Sequence, residues 1–255
     1  MSSYTDINSK AIDKWVTDGW EWGTPVSSED YASAKKGRWR VVLTPLKPVP
    51  AEWFLPYIKN GRLDGAKLLG LASGGGQQMP IFAALGADCA VFDNSEKQLD
   101  NERAVSRREG YAINIIKGDM TKRLPFDDGA FDIVFHPVSN CYVEDVHHVW
   151  NECFRILKSG GVLLAGMDYG LNYLAEDDNP LLIVNKLPYN PLKDEALYKR
   201  CLEVDGSIQF GHTIEEQVGG QLKAGFALTD LYEDTDNDTI GKYIPNFIAT
   251  RAVKP

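Results

Sequence analysis

Cysteine is scarce in this chain of 255 residues. Its four cysteines, Cys89, Cys141, Cys153 and Cys201, lie far apart, and no two of them form a C-x-x-C pair. Zinc sites and disulfide frameworks need closer or repeated spacings. We therefore expect reduced thiols and no bound metal.

Long apolar runs are also missing. No stretch approaches the about 18 consecutive apolar residues that a membrane-spanning helix requires. Residues 1–10 are polar and lack the apolar centre of a signal peptide. We expect a soluble, cytoplasmic protein that makes no membrane contact.

Positive charge is in the minority, with 27 Lys and Arg against 36 Asp and Glu and a formal net charge of −9. The basic residues are scattered, and the short group at 103–108 is typical of a solvated helix face. Phosphate binding depends on clustered Lys and Arg. A nucleic-acid partner is therefore not expected.

What the chain does have is enough apolar material for a full core. Its hydrophobic content is 44%, and its length suits one α/β domain with added segments.

A glycine-rich turn follows an apolar run in KLLGLASGGGQQ, residues 67–78. An apolar strand, glycines and then a helical pattern are typical of a nucleotide-binding βα unit. Glycines suit this turn because a side chain would hold the backbone away from the ligand, and because the turn needs φ > 0. A dinucleotide fingerprint would require glycine at Met79, and a P-loop would require Gly-Lys-Ser/Thr where Gln77 and Gln78 stand.

Two further strands are predicted to end next to acidic residues. The strand 87–93 ends at Asp93, which lies 21 residues after Ala72, a separation typical of a ribose-binding carboxylate. Alternatively, Asp93 is only an acid before the helix 95–109, which opens with a capping box, Ser95-Glu96-Lys97-Gln98. The next strand, 111–117, runs into Gly118-Asp119-Met120.

The pattern continues as an alternation of strands and helices. An acidic turn and an apolar strand occupy 124–135, and His136 follows directly. Helical spacing predicts a helix over 146–158, which leads through the turn LKSGG, 157–161, into a fifth strand.

The end of the chain predicts a helix and two strands. A second capping box opens the helix at 213–216, and the strands are predicted at 227–232 and 244–252, with an acidic loop between them. Apolar residues mark one face of that helix: Ile214, Val218 and Leu222.

Taken in this order, the motifs resemble those of class I S-adenosylmethionine-dependent methyltransferases. Ala72, Gly74 and Gly76 stand at the three glycine positions of the family's loop, and Ser159 replaces the proline of its "LKPGG" turn. The resemblance covers about residues 66–252 and extends to a methyltransferase type 11-like bacterial group with unassigned substrates. It implies a Rossmann-like seven-stranded, mostly parallel α/β sheet with helices on both faces and a terminal antiparallel hairpin.

The resemblance also implies S-adenosylmethionine as cofactor, with S-adenosylhomocysteine as its product. Asp93 would bind the ribose, and its carboxylate would be exposed while the site is empty. Asp119 and Met120 would contact the adenine. The full set of cofactor-binding residues implied is Ala72, Ser73, Gly74, Gly76, Gln77, Gln78, Asp93, Asn94, Asp119, Met120 and His136.

Residues 1–60 are predicted to form a Trp-rich N-terminal arm or cap, and residues 61–255 the methyltransferase domain with a lid-like insertion at about 168–210. Leu181–Asn185 and Ser207–Phe210 are candidate strands of that insertion. The arm either packs on the outside of the sheet or closes over the cofactor. In the second case four aromatic residues would line the pocket: Trp20, Trp22, Tyr31 and Trp39.

The predicted function is methyl transfer to a small-molecule acceptor. The alternatives are a non-catalytic protein that binds S-adenosylmethionine or S-adenosylhomocysteine and an NAD(P)-dependent oxidoreductase. The pattern assigns no catalytic base and no oligomeric state. Six residues are candidates for a base by position: His136, His147, His148, His212, Tyr142 and Asp168.

Overall fold

The computed structural model describes residues 3–176, 179–236 and 238–255. Its α-helices are α1 (Tyr4–Thr17), α2 (Ser28–Lys35), α3 (Met79–Ala84), α4 (Glu96–Glu109), α5 (Val146–Ile156), α6 (Glu195–Val204) and α7 (Gly220–Ala224). A π-helical turn, Glu215–Gly219, runs directly into α7.

Nine strands are formed by the described residues: β1 (Lys67–Leu71), β2 (Asp88–Asp93), β3 (Asn114–Lys117), β4 (Phe131–His136), β5 (Leu157–Asp168), β6 (Ala175–Glu176), β7 (Asn179–Ile183), β8 (Ala227–Asp234) and β9 (Phe247–Val253). Seven of them form one sheet in the order β3-β2-β1-β4-β5-β9-β8. Strands β1 to β5 pair in parallel, and β9 pairs antiparallel with both β5 and β8. The predicted sheet and its terminal hairpin are confirmed.

Side-chain caps fix where the first helices begin. The hydroxyls of Ser3 and Ser27 accept from the backbone three residues ahead, and the carboxylates of Asp6 and Asp30 complete both capping boxes. Ser95 caps α4 in the same way, but the return bond of the predicted capping box is absent. The Gln98 side chain instead donates to Trp22 O at 3.1 Å, which ties α4 to the arm.

Two hydrophobic clusters cover the two faces of the sheet. One joins sheet residues to the predicted arm through large side chains that include Tyr31, Trp53 and Phe54. The other packs α5 against the opposite face around the fully buried Trp150. Much of the segment 1–60 therefore shares a core with the sheet.

A loop over residues 41–49, the strap, crosses the sheet beside its carboxyl edge. Its ends meet through Val49 N–H, which donates to Val41 O at 2.9 Å. Where it crosses β5, Leu43 O lies directly against Gly166, which leaves no space for a Cβ atom there.

The carboxylate of Asp234 anchors the strap. Its Oδ2 accepts from Thr44 Oγ1 and from the backbone N–H groups of Leu46 and Lys47, each at 2.8 Å. Burial acts to raise the pKa of Asp234, but these hydrogen bonds outweigh it and lower the pKa. Three donors on one oxygen fix the strap to the last residue of β8.

Two details of the predicted secondary structure are wrong. Residues 207–210 form no strand, and the helix α6 ends shortly before them, at Val204. The predicted apolar face of the helix after 213 is wrong in part. Val218 packs against the core, but Ile214 and Leu222 are exposed while Gln217 and Gln221 are buried. Gly220 favours this shift of the buried face, since its lack of a side chain lets Trp150 pack against the helix.

Substituting Gly166→Ala should lower the free energy of unfolding by about 2 to 3 kcal/mol, because the added methyl group collides with the strap backbone. Urea unfolding of both proteins measures the difference. Gly219→Ala is the control, since its Cβ would make only an ordinary contact, 3.5 Å from Glu215 Cγ. Equal stability of the two variants would show that the strap does not press on β5.

Candidate functional site

A cavity of about 560 Å³ opens at the carboxyl ends of the central strands. This is the edge at which open α/β sheets bind ligands, and the volume lies within the usual range for small-molecule sites. All the predicted cofactor-binding residues line it except Gly76 and His136.

The glycine turn has the backbone geometry that the sequence predicts. Gly75 and Gly76 have φ of 93° and 69°, and Ala72 has φ of 48°. Positive φ strains an alanine, which explains why the family pattern carries glycine at that position.

The explanation for the other glycines needs correction. Protein, rather than ligand, fills the space beside Gly74, since a Cβ there would lie 3.0 Å from Asp93 Oδ2 and 2.7 Å from Gln98 Cβ. Four N–H groups of the turn also donate within the protein. Ala72 donates to Phe92 O, Gly74 to Asp93, Gly75 to Gln98 O and Gly76 to Glu102. The glycines therefore let the turn pack closely against α4.

Asp93 is more deeply built into the fold than its predicted role requires. Its Oδ2 accepts from Gly74 N at 3.0 Å and its Oδ1 from Ser95 N at 2.9 Å, so it braces both the turn and the start of α4. Only 9% of the residue is exposed, and the expectation of an exposed carboxylate is wrong. Burial raises its pKa, while the hydrogen bonds from Ser95 and Gly74 act in the opposite direction.

The end of β3 supplies a second wall of the cavity. Asp119 is half-buried, and its Oδ1 accepts from Thr121 N at 2.9 Å. Gly118 lies against the ring of Phe92, which leaves no room for a side chain, and Met120 lines the cavity beside it. Asp119 and Met120 thus place a carboxylate next to an apolar surface, which suits a flat heteroaromatic ring.

Two buried polar atoms beside the glycine turn have no hydrogen-bond partner among the described residues. They are Ser73 Oγ and Gln98 Oε1, and both residues line the cavity. Buried polar groups are rarely left without hydrogen bonds. A polar ligand in the cavity would supply them.

The helix α1 covers the cavity from the arm. Asn94 Nδ2 donates to Thr5 O at 3.0 Å, and Ser9 Oγ donates to Asn94 O at 2.7 Å, so α1 is tied to the residue that follows β2. Trp20 and Trp22 line the cavity as predicted, and both lie after α1. The positions of the other two aromatics were predicted wrongly, because Tyr31 stacks on Tyr111 and Trp39 packs on Phe54.

The other end of the cavity was not identified from the sequence. It is formed by part of the strap, by the residues after β4 and by the turn before β9, and its lining includes Leu43, Leu46, Tyr142, Val143, Asp236, Asp238 and Phe247. The acidic loop between the last two strands was the only signal. Its position beside the strap follows from β8, which ends at the carboxyl edge, and from the antiparallel β9, which starts there.

His136 does not line the cavity, which corrects its predicted place among the cofactor-binding residues. Its ring is fully buried behind the wall, and its nitrogens lie 3.0 Å from Leu71 O and 2.9 Å from Asn140 Oδ1. A base must reach the proton that it removes. Of the six candidates for a base, Tyr142 lines the cavity and the other five do not.

Glu102 holds the turn from the side of α4. It is fully buried, and its carboxylate accepts from Gly76 N at 2.9 Å and from Tyr111 Oη at 3.1 Å. Burial raises the pKa of Glu102 to about 7, although both hydrogen bonds act to lower it. The protonated form is therefore favoured in the folded protein below about pH 7.

Comparison with known proteins agrees with the geometry. A family model described as "Methyltransferase domain" matches residues 69–165. The uncharacterized methyltransferase YbaJ of Bacillus subtilis is 41% identical over 100% of both chains. A sterol 24-C-methyltransferase of Aspergillus fumigatus is 28% identical over 47% of this chain and 32% of its own length.

Solved structures share the fold. An S-adenosylmethionine-dependent methyltransferase from Mesorhizobium loti has a TM-score of 0.64 at 20% identity, covering 80% of this chain and 95% of its own. A second, from Listeria monocytogenes, has a TM-score of 0.60 at 14% identity with the same coverage. Within the residues that the structure describes, no helix is long and apolar enough to cross a membrane.

Glu102→Gln should remove a pH dependence of stability. A pKa raised from 4.5 to about 7 stabilises the folded state fully below about pH 4.5, and this contribution is lost as the pH rises through about 7. Between about pH 5 and pH 8 the wild type should lose about 1 to 3 kcal/mol relative to the variant.

Urea unfolding across that pH range measures the effect. Glu96→Gln is the control: Glu96 is a half-buried glutamate of the same helix, and the hydrogen bond from Arg103 lowers its pKa. It therefore stays charged across this range, and its variant should keep the wild-type slope. Parallel pH profiles for wild type and Glu102→Gln would contradict the buried protonated state.

Proposed function

The chain belongs to the class I S-adenosylmethionine-dependent methyltransferases, and we propose that it methylates a small-molecule acceptor bound at the strap end of the cavity. Membership rests on the full-length similarity to a methyltransferase. The observation that carries the acceptor proposal is that the cavity continues beyond the predicted cofactor residues, to the strap end.

The proposed cofactor site is the end of the cavity nearest β1, β2 and β3. Asp93 would accept hydrogen bonds from the ribose hydroxyls, and Asp119 with Met120 would hold the adenine. Ser73 Oγ and Gln98 Oε1 support this placement, since both are buried and lack partners. When bound, S-adenosylmethionine supplies a methyl carbon that its sulfonium activates for in-line displacement.

The strap end supports an acceptor with an apolar body and no net negative charge. Leu43, Leu46 and Phe247 provide apolar surface, and Asp236 and Asp238 provide carboxylates. None of the described residues that line the cavity is Lys, Arg or His. An anionic acceptor would lose its hydration there without gaining a cationic partner, which costs several kcal/mol.

The contribution of the protein to the reaction is to align the acceptor and exclude water. The helix α1 and the residues Trp20 and Trp22 cover the cavity, so the reacting groups would meet away from bulk solvent. The strap, fixed by Asp234, would set the distance between acceptor and methyl group. These roles need no general base from the protein if the acceptor carries a free lone pair.

The purified protein should bind S-adenosylhomocysteine and not NAD, as isothermal calorimetry can measure. Asp93→Ala should weaken S-adenosylhomocysteine by about 1.5 to 3 kcal/mol, because hydrogen bonds to a charged group are lost. It should also lower stability, since Asp93 braces the turn and α4. Asp119→Ala should weaken binding less and leave stability near that of the wild type. Heat with NAD and none with S-adenosylhomocysteine would overturn the proposed cofactor.

A transfer assay tests the reaction itself. The enzyme is incubated with S-adenosylmethionine labelled in the methyl group and a cell extract that has been separated by size and then by charge. Label should enter a small-molecule fraction that is neutral or cationic, and Asp93→Ala should reduce it. Label in nucleic acid or protein would contradict the acceptor class. Binding without any transfer would identify a non-catalytic binding protein.

A further inference from the structure

Three buried side chains form a chain of hydrogen bonds behind the cavity wall. His136, Asn140 and Gln217 are all fully buried. His136 Nε2 lies 2.9 Å from the Asn140 side chain, and that side chain lies 2.8 Å from the Gln217 amide. The indole of Trp150 packs edge-on against the His136 ring, with ring centroids 5.9 Å apart.

The donors and acceptors of these hydrogen bonds do not match if Asn140 Oδ1 faces His136. Leu71 O lies 3.0 Å from Nδ1, so both ring nitrogens would face oxygens. A neutral imidazole has only one N–H, so two oxygen partners would require a buried imidazolium. Its partners are Leu71 O, the Asn140 side chain and the Ser139 hydroxyl, 3.4 Å from Nδ1, and none of these is charged. Burial lowers the pKa of His136 against the opposing hydrogen bonds of Asn140 and Leu71.

Reversing two amides resolves the mismatch. An amide has the same shape after a half-turn, so its partners decide the orientation. If Asn140 turns its NH₂ toward Nε2 and Gln217 turns its NH₂ toward Asn140, His136 is neutral and carries its proton on Nδ1. The Gln217 nitrogen, which otherwise has no partner, then donates to Asn140. A carbonyl oxygen is left in its place, and this is the less costly group to leave unpaired.

The far end of the chain is the peptide bond that begins the glycine turn. Leu71 O accepts from the ring, and the N–H of the same peptide, from Ala72, donates to Phe92 O at 2.8 Å. Both polar atoms of this peptide are therefore held, directly before an alanine at positive φ. An alanine leaves that conformation readily unless its neighbours hold it there.

The near end holds the cavity wall that follows β4. Asn140 lies within the segment 137–143, whose other residues line the cavity. Through Asn140, the ring therefore links this wall to the first peptide of the turn, and Gln217 joins both to the π-helical turn.

We propose that His136 is a positioning residue. As a neutral Nδ1–H imidazole, it holds the Leu71–Ala72 peptide and fixes the position of the wall 137–143 relative to the glycine turn. Its influence on the cofactor rests on the proposed function. The tautomer and the hydrogen-bond chain do not, so the two can fail separately.

Nuclear magnetic resonance of the ¹⁵N-histidine-labelled wild type tests the tautomer without any ligand. The His136 ring should show one neutral Nδ1–H form that does not titrate from about pH 5.5 to about pH 8. His136→Asn identifies its signals. An imidazolium or an Nε2–H form in that range would overturn the proposal.

A matched pair of variants tests the positioning role. Asparagine and leucine branch alike, but only asparagine can donate to Leu71 O. Relative to wild type, S-adenosylhomocysteine should bind within about threefold in His136→Asn and about tenfold more weakly in His136→Leu. In an Ala72→Gly background, where the turn needs no support, the leucine penalty should fall below about threefold.

Equal losses for asparagine and leucine, or the same leucine penalty in both backgrounds, would show that the ring only fills space. If wild type binds no S-adenosylhomocysteine, the proposed function fails, and the resonance experiment still decides the state of His136. Thermal melting would show whether His136→Leu folds. If it does not fold, the resonance experiment on the wild type still decides the tautomer of His136.

Discussion

The close packing of the glycine turn against α4 is the constraint on which the cavity depends. The N–H groups of Gly74, Gly75 and Gly76 donate to Asp93, Gln98 O and Glu102, and not to a ligand. The turn can lie this close to α4 only because these residues are glycines, since a Cβ atom on any of them would collide with α4. Because the turn is fixed from the protein side, the cavity in front of it is shaped before any ligand arrives, which reduces the entropy lost on binding.

The other walls are fixed to the sheet by the same kind of bond. Asp234 collects three donors from the strap, and Asn94 exchanges hydrogen bonds with α1. Buried or partly buried polar groups at strand ends thus hold the glycine turn, the strap and α1 at one edge of the sheet. A parallel sheet brings those ends together, so a short set of side chains can enclose a volume large enough for two reactants.

The sequence predicts the sheet well because strands and turns leave local signals. The strand ending at Asp93, the Gly-Asp-Met segment and the terminal hairpin need only short-range patterns, and most of the predicted site residues do line the cavity. Long-range contacts explain the failures. Nothing near Ile214 predicts that Trp150 packs on Gly220, a contact that favours a shifted buried face for this helix. Likewise, counting tryptophans cannot separate Trp20, which faces the cavity, from Trp39, which packs on Phe54. His136 is the last residue of β4, a position where site residues often lie, yet its ring is buried behind the cavity wall.

A crystal structure of the full chain with S-adenosylhomocysteine tests the account most directly. The ribose hydroxyls should lie within hydrogen-bond distance of Asp93, the adenine beside Asp119 and Met120, and the sulfur should face the space between the strap and Tyr142. The ligand should supply partners for Ser73 Oγ and Gln98 Oε1, while His136 stays behind the wall. A ligand bound elsewhere, or one that contacts the His136 ring, would contradict the account.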